Sequence, residues 1–371
     1  MDTVLAIALA IFGIMVLVVL HELGHFFAAR AVGMRVEKLY LFFGKPIWKV
    51  QRGETEYGVG SIPLGGYAKI SGMNPEEELP PEVVPRAYYT QAVWKRCFVI
   101  LAGPFVNVVV AFVILFGLAF TAEEPTALAV GAIVKASPAE GELLAGDRIL
   151  AVDGLRADPD ESLEQQAQAL SEAVSAHECQ SEPRDGCRAA TPARILVERD
   201  GETLVLSLRP SYDEEIARTR LGFQFREADF QPLNPSVPEA AALSGELMWL
   251  VTSETAKTFA QLFKASERDK LGSVVGAVET TRQAIQIDVE IALRVIALVS
   301  LSLALINLMP ILPLDGGHVF WSIVEKLRGR RASLRTMEQA SAVGFMLILV
   351  IFAIGFTNDL GRFSNGDFDL R

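Results

Sequence analysis

The string His21-Glu22-Leu23-Gly24-His25 lies inside an unbroken apolar run, and that placement constrains the chain more than any other feature. No charged residue occurs from Val4 to Val19, and past the string the run continues through Phe26, Phe27, Ala28 and Ala29. On an α-helix, positions i and i+4 share a face, so imidazoles at that spacing can reach one metal ion. Glu22 sits one residue round from His21 and can touch a water on that metal without being a ligand. Catalytic zinc keeps three protein ligands and one open position for water. The metal lowers the pKa of that water, and a neighbouring carboxylate takes its proton during attack. The string therefore points to peptide-bond hydrolysis within a bilayer or at its edge, and it demands a third ligand elsewhere.

The chain has 371 residues, 51% of them hydrophobic, and a mean hydropathy of +0.32. A soluble enzyme is rarely so apolar, so the excess belongs in lipid. Four stretches approach spanning length: 3–29, 98–121, 291–311 and 338–356. The first does not read as a cleavable signal, because Asp2 stands where a basic region would be and the run is too long. Some 170 residues of ordinary soluble composition separate the second stretch from the third, roughly the size of one domain with additions.

Basic residues set the expected orientation. Arg30, Arg35, Lys38, Lys45, Lys49, Arg52, Lys69, Arg86, Lys95 and Arg96 follow the first stretch, and Lys326, Arg328, Arg330, Arg331 and Arg335 follow the third. The positive-inside tendency makes both loops cytoplasmic, which puts the soluble segment and both termini on the other side. The net charge of −11, with no basic stripe outside these loops, gives no support for nucleic-acid binding. Cys97 reads as a packing residue, while Cys179 and Cys187 bracket a short polar segment and are either a disulfide or two thiols. His177 beside them reads as a solvated loop histidine.

The third ligand is found in Asn307-Leu308-Met309-Pro310-Ile311-Leu312-Pro313-Leu314-Asp315-Gly316-Gly317-His318. An aspartate at membrane depth costs about 2.5–3.5 kcal/mol on insertion scales and needs a partner. Two prolines and two glycines break the helix around it, and irregular backbone at that depth belongs in buried protein or against a wet cavity. Asp315 with His21 and His25 completes a set of two histidines and one carboxylate. His318 stays open between a substitute ligand, a donor to a ligand, and a plain interfacial histidine, and is left out of the metal set.

These strings resemble those of the site-2 protease family of intramembrane zinc metalloproteases, and most of all its bacterial RseP-type members, which cut anti-sigma factors. The resemblance implies Zn2+ held by His21, His25 and Asp315, Glu22 as the base, and Asn307 as the residue that holds substrate backbone near the metal. Leu101-Ala102-Gly103-Pro104-Phe105-Val106-Asn107 is similar to the family's second core helix. For Asn107, substrate binding and a structural bond between helices stand even, the latter worth about 0.6–2 kcal/mol. Residues 35–73 read as strands at 47–50 and 57–62 with a turn at Gly44-Lys45-Pro46. The family has a membrane-associated β-hairpin here. Its edge is a template for an extended substrate, which makes Gly65, Gly66 and Tyr67 candidate substrate-binding residues.

In the soluble segment, Val130-Gly131-Ala132-Ile133-Val134, Ser137-Pro138-Ala139 and the Gly146-Asp147-Arg148-Ile149 strand resemble a bacterial PDZ domain, closed by a hairpin around Asp200-Gly201. The spacing from Ser-Pro-Ala to Gly-Asp is one residue short of the pattern. Such a domain is expected either to bind a peptide or partner protein, or to exclude substrates with bulky outer domains. From Glu239 to Phe263 apolar residues recur at helical spacing, which fits a helix on the membrane surface or one packed on the soluble domain.

The expected fold class is therefore α+β, a polytopic α-helical membrane protein with four transmembrane helices, a membrane-associated β-hairpin and one PDZ-like domain. The expected divisions are 1–34, first span; 35–73, hairpin; 74–97, cytoplasmic connection; and 98–121, second span. Then come 122–212, PDZ-like with an insertion at 155–192; 213–290, amphipathic region; and 291–325, third span with the Asp-Gly motif. Last are 326–337, basic loop; 338–357, fourth span; and 358–371, tail. The expected activity is cleavage of single-span membrane proteins in the bilayer of a bacterial inner membrane, with the PDZ-like domain and termini periplasmic. The alternative is a membrane PDZ adaptor with an inactive metal site, which the intact Glu22 argues against. A membrane-anchored protease acting on soluble peptides is a weaker third reading.

Overall fold

The structure, a computed structural model, describes residues 2–365 apart from 75–76, 157, 159–160, 181, 262–263, 265–267 and 269–270. It divides into two compact units, one formed by residues up to Phe120 together with those from Pro235 onward, the other by Thr121–Asn234.

Four helices of the first unit are long and apolar enough to cross a membrane: Thr3–Ala31, Val93–Leu118, Val289–Asn307 and Arg335–Ser364. They belong to α1 (Thr3–Ala31), α2 (Val93–Leu118), α6 (Val289–Asn307) and α8 (Leu334–Asn365). The mixed helix-and-strand architecture with four such spans agrees with expectation. The third span does not continue to 325. Helix α6 ends at Asn307, because Pro310 and Pro313 offer no backbone N–H, and Asp315 opens a separate helix, α7 (Asp315–Arg328), which stops at Gly329 in the left-handed region, φ +67°.

Helices α4 (Val237–Ala260) and α5 (Val274–Ile287) fill the stretch before α6. The stripe on α4 is only partly spent on packing. Leu247, Met248 and Val251 lie against Ala111 and Leu115 of α2 and Ala297 and Leu301 of α6, while Trp249 is 73% exposed. Leu262 and Phe263, the end of the expected amphipathic stretch, lie outside the described residues.

Residues 36–70 form two long strands, β1 (Val36–Arg52) and β2 (Thr55–Ile70). No turn interrupts β1 at Gly44-Lys45-Pro46. The strand passes through as a bulge, with Phe42 at φ 68° and Gly44 at φ 87°. Register shifts let residues 38–41 face two stretches of β2, so Tyr40 lies opposite both Gly58 and Tyr67. The strands thus curl into a small sheet in which 38–41 is central and 66–70 is an edge. Ile47 (75% exposed) and Trp48 (57% exposed) project from it, as a surface facing lipid headgroups would require.

The second unit is a six-stranded antiparallel sheet ordered β10–β3–β4–β6–β7, with β5 beside β4. Its strands are β3 (Glu123–Ile133), β4 (Arg148–Val152), β5 (Leu155–Arg156), β6 (Ala193–Arg199), β7 (Glu202–Leu208) and β10 (Phe223–Pro232). β8 (Ser211–Asp213) and β9 (Arg218–Arg220) make a separate ribbon. Helix α3 (Leu163–Ser175), started by a Ser162–Gln165 capping box, packs Leu170 and Val174 onto Val130, Ile149, Ile195 and Val197. The unit does not end at 212: β10 pairs along β3 from Phe223↔Ile133 to Pro232↔Glu123 and supplies an edge. The segment expected as an insertion holds α3 and the Cys179–Cys187 disulfide, and its residues 157, 159–160 and 181 lie outside those described. Asp147 is 2% exposed and takes bonds from Arg199 at 2.7 and 2.6 Å and from the Leu144 N–H at 2.8 Å. Those bonds to Arg199 hold its carboxyl below the usual range.

Candidate metal centre

Two glycines let α1 and α2 approach closely. A Cβ on Gly24 would lie 2.5 Å from the Ala102 carbonyl oxygen, and one on Gly103 would lie 2.3 Å from His25 Nε2 and 2.9 Å from His21 Nε2. A side chain at 103 would occupy the space in front of both imidazoles. The third element is α7, whose first residue is Asp315. Gly316 and Gly317 fold it tightly against the preceding loop, since Cβ atoms there would meet Leu308 and Ile311–Leu312 backbone at 2.1 and 2.5 Å.

The three side chains converge. His21 Nε2 and His25 Nε2 are 3.1 Å apart, and Asp315 Oδ2 is 3.0 Å from the first and 3.3 Å from the second. Tetrahedral zinc with ligands at about 2.0–2.1 Å keeps them roughly 3.3 Å apart, so this triangle matches its base. Among the described residues no other group of three such side chains is so placed. His318, one turn along α7, is outside the triangle and lines a separate small cavity with Tyr88, Arg96 and Ser322.

The remaining ring nitrogens are tied down. His25 Nδ1 is 2.9 Å from the Val99 carbonyl oxygen, so it carries the proton and leaves Nε2 its lone pair. His21 Nδ1 is 3.4 Å from the Asn107 carboxamide nitrogen, and the Asn107 amide oxygen is buried without a partner. Turning that amide over answers both observations, because the oxygen then accepts the Nδ1 proton of His21. Asn107 is 0% exposed and is not among the residues that line the cavity; its amide lies behind the His21 ring.

Glu22 lines the same cavity of about 290 Å³ as His21, His25, Asp315 and Asn307. Its Oε2 accepts a 3.0 Å bond from the backbone N–H of Ala68 on the edge of β2. Asn307 ends α6 and donates its Nδ2 to the Leu303 carbonyl at 3.0 Å, which fixes the carboxamide in the cavity wall. Of the three hairpin candidates, only Gly66 comes near: a Cβ there would be 3.7 Å from Glu22 Cγ. Gly65 does not line the cavity, and Tyr67 stacks on Tyr40 and Phe43 with centroids 5.4 and 5.8 Å away. Ala68, Val99 and the close approach of Gly103 escaped the sequence reading. The first two act through backbone atoms, which no residue type reports, and only the Gly103-Pro104 pair was visible.

The donor set suits zinc: two imidazoles and one carboxylate, with a side open to the cavity where a water and a peptide carbonyl can enter. The model of peptidase family M50 matches residues 9–351. Similar proteins include the zinc metalloprotease Rip1 of Mycolicibacterium smegmatis, 32% identical over 93% of this chain and 92% of the relative. The zinc metalloprotease Rip1 of Mycobacterium tuberculosis is 29% identical over the same shares.

Proposed function

As the chain belongs to peptidase family M50, the site-2 proteases, we propose that it hydrolyses peptide bonds inside the membrane-spanning segments of single-span proteins. It is a membrane-embedded zinc metalloprotease, and Zn2+ is its cofactor. The observation that carries the finer reading is the convergence of Asp315 with His21 and His25 within 3.3 Å beside Glu22, the last three on α1, a helix long and apolar enough to cross a membrane.

His21, His25 and Asp315 would hold the ion, with Asn107 and the Val99 carbonyl fixing the two rings. When bound, Zn2+ acidifies a water and polarises the scissile carbonyl. Glu22, aimed by the Ala68 N–H, takes the proton of the attacking water and delivers it to the leaving amide nitrogen. Asn307 hydrogen-bonds the substrate carbonyl as negative charge develops on it. A helical substrate hides its carbonyls in i to i−4 bonds and must unwind first. The 66–70 edge of β2 offers replacement backbone bonds as it does so.

Substrates of this kind include anti-sigma factors whose outer domain has been shed. The basic loops support a bacterial inner-membrane location with the Thr121–Asn234 unit and the termini periplasmic. The strand–turn–Gly-Asp pattern supports a PDZ-like identity for that unit, either receiving a peptide or partner or filtering substrates by size. An adaptor with a dead site has no need of a carboxylate beside two histidines.

The test compares wild type with Glu22→Gln, purified in detergent, for zinc per chain and for cleavage of a single-span substrate. Zinc in both with cleavage only in wild type is expected. Full cleavage by Glu22→Gln, or by His21→Ala or Asp315→Ala, would overturn the assignment.

A further inference from the structure

A second cavity of about 270 Å³ lies between α1 and the hairpin, and Glu22 lines both it and the metal cavity. Its walls include Val19 and Leu23 of α1 and Leu39, Leu41, Tyr57 and Val59 of the curled sheet, and Glu22 is its one carboxylate. Gly66 borders it, next to the Glu22 stem. Gly58 also borders it, where the Tyr40 ring packs so closely that a Cβ would meet it at 2.6 Å.

We propose that this cavity is a specificity pocket, taking one large apolar side chain, such as leucine, methionine or phenylalanine, from the substrate residue next to the scissile bond. The inference rests on the reading of Glu22, His21, His25 and Asp315 as the hydrolytic site. Residues 66–70 pair with 36–41 on one side only, and on the other side the Ala68 N–H points at Glu22. A substrate strand laid along that edge runs past the Glu22 carboxylate. Alternate side chains of a strand point to opposite faces, so one of the two flanking the reacting carbonyl turns toward the gap between α1 and the sheet. The volume is under the roughly 300–1,000 Å³ of sites that hold whole small ligands, which suits a single side chain.

A membrane-spanning substrate is apolar almost everywhere, so such a pocket would select by size and not by polarity. Leaving lipid for an apolar cavity gains little beyond closer packing. The discrimination should therefore lie at the low end of what a hydrophobic pocket gives, about tenfold for leucine over alanine.

The experiment uses the full chain loaded with zinc in detergent, and a single-span substrate whose scissile bond is first mapped by mass spectrometry. The residues on either side of that bond are then varied through glycine, alanine, leucine and phenylalanine. Wild type should favour leucine or phenylalanine over alanine by about tenfold at one of the two positions. Val59→Phe fills the cavity and should lower the leucine-to-alanine ratio about fivefold, moving the cut toward an alanine-flanked bond when two bonds compete. Leu41→Ala widens it and should raise the phenylalanine-to-leucine ratio; this variant decides the matter if Val59→Phe fails to hold zinc. Variants that keep both zinc and the wild-type size preference would overturn the pocket and leave lipid as its occupant. Zinc-loaded wild type that cuts no member of the panel would overturn the protease reading itself, and the pocket with it.

Discussion

Gly103→Ala isolates the close helix approach on which the proposed metal site depends. The new methyl would sit 2.3 Å from His25 Nε2 and 2.9 Å from His21 Nε2, well inside ordinary van der Waals separation. Neither ring can turn aside without loss, because His25 Nδ1 is bonded to the Val99 carbonyl at 2.9 Å and His21 Nδ1 faces Asn107. Overpacking of this kind costs about 1–3 kcal/mol, and a broken ring hydrogen bond adds about 1 kcal/mol. The metal-free protein can relieve the clash by swinging a ring out at the cost of that hydrogen bond, so roughly 1–3 kcal/mol falls on the metal-holding state alone and weakens zinc binding about 5- to 150-fold at 1.4 kcal/mol per decade. In the metal-free protein the lost bond is offset by the preference of a helix interior for alanine over glycine, up to about 1 kcal/mol, so its stability should change little. The assay is zinc retained against chelators of graded strength, paired with thermal unfolding of the metal-free protein in the same detergent. Weaker zinc binding with little change in metal-free stability is the expected pair. Wild-type zinc affinity in Gly103→Ala would refute the account of the site.

Asn107→Leu should weaken zinc about 10- to 100-fold, whereas Asn107→Asp, which keeps an acceptor behind His21, should retain most of the affinity; equal behaviour of the two in a chelator competition would remove Asn107 from any role in holding that ring. In the second unit, Arg199→Met leaves the Asp147 carboxylate without its cation and should destabilise that unit, read as a lower unfolding temperature at pH 7. Because the folded Asp147 value is depressed, the stability from this pair is complete above about pH 4–5 and is lost as pH falls through the folded value. The gap between wild type and Arg199→Met should therefore narrow on acidification, and a gap that widens would contradict the assignment.

What was legible in the sequence is what residue type alone encodes. Spans announce themselves by apolar length, and His21, Glu22, His25 and Asp315 by charge or metal affinity in apolar surroundings. Legibility fails where a tertiary partner decides. The fourth helix continues beyond 356 through polar residues because they are held: Asn358 donates to the carbonyls of Arg268 and Leu271, and Asp359 accepts from the N–H groups of Ser273 and Gly276. Gly44-Lys45-Pro46 has turn composition, yet β1 absorbs it as a bulge because β2 continues on the far side. Asn107 looks the same in sequence whether it meets substrate or a histidine, and only its complete burial separates the two.

The break between α6 and α7 bears on how the site is assembled. Were Asp315 inside one continuous span with Asn307, the eight positions from one to the other would place the two at a fixed helical rise of about 12 Å, too far to line one cavity. The prolines end α6, and Gly316 and Gly317 let α7 begin pressed against the backbone at 308–312, so both residues face the same cavity. Gly344 of α8 closes the other side of this loop, with no room for a Cβ beside the Leu312 carbonyl. In the proposed mechanism three separate elements, α1, α7 and the end of α6, would thus supply the ligands, the base and the carbonyl-binding amide. An ion bound by His21, His25 and Asp315 would tie α7 to α1 directly, so metal loading and the packing of this loop are one equilibrium.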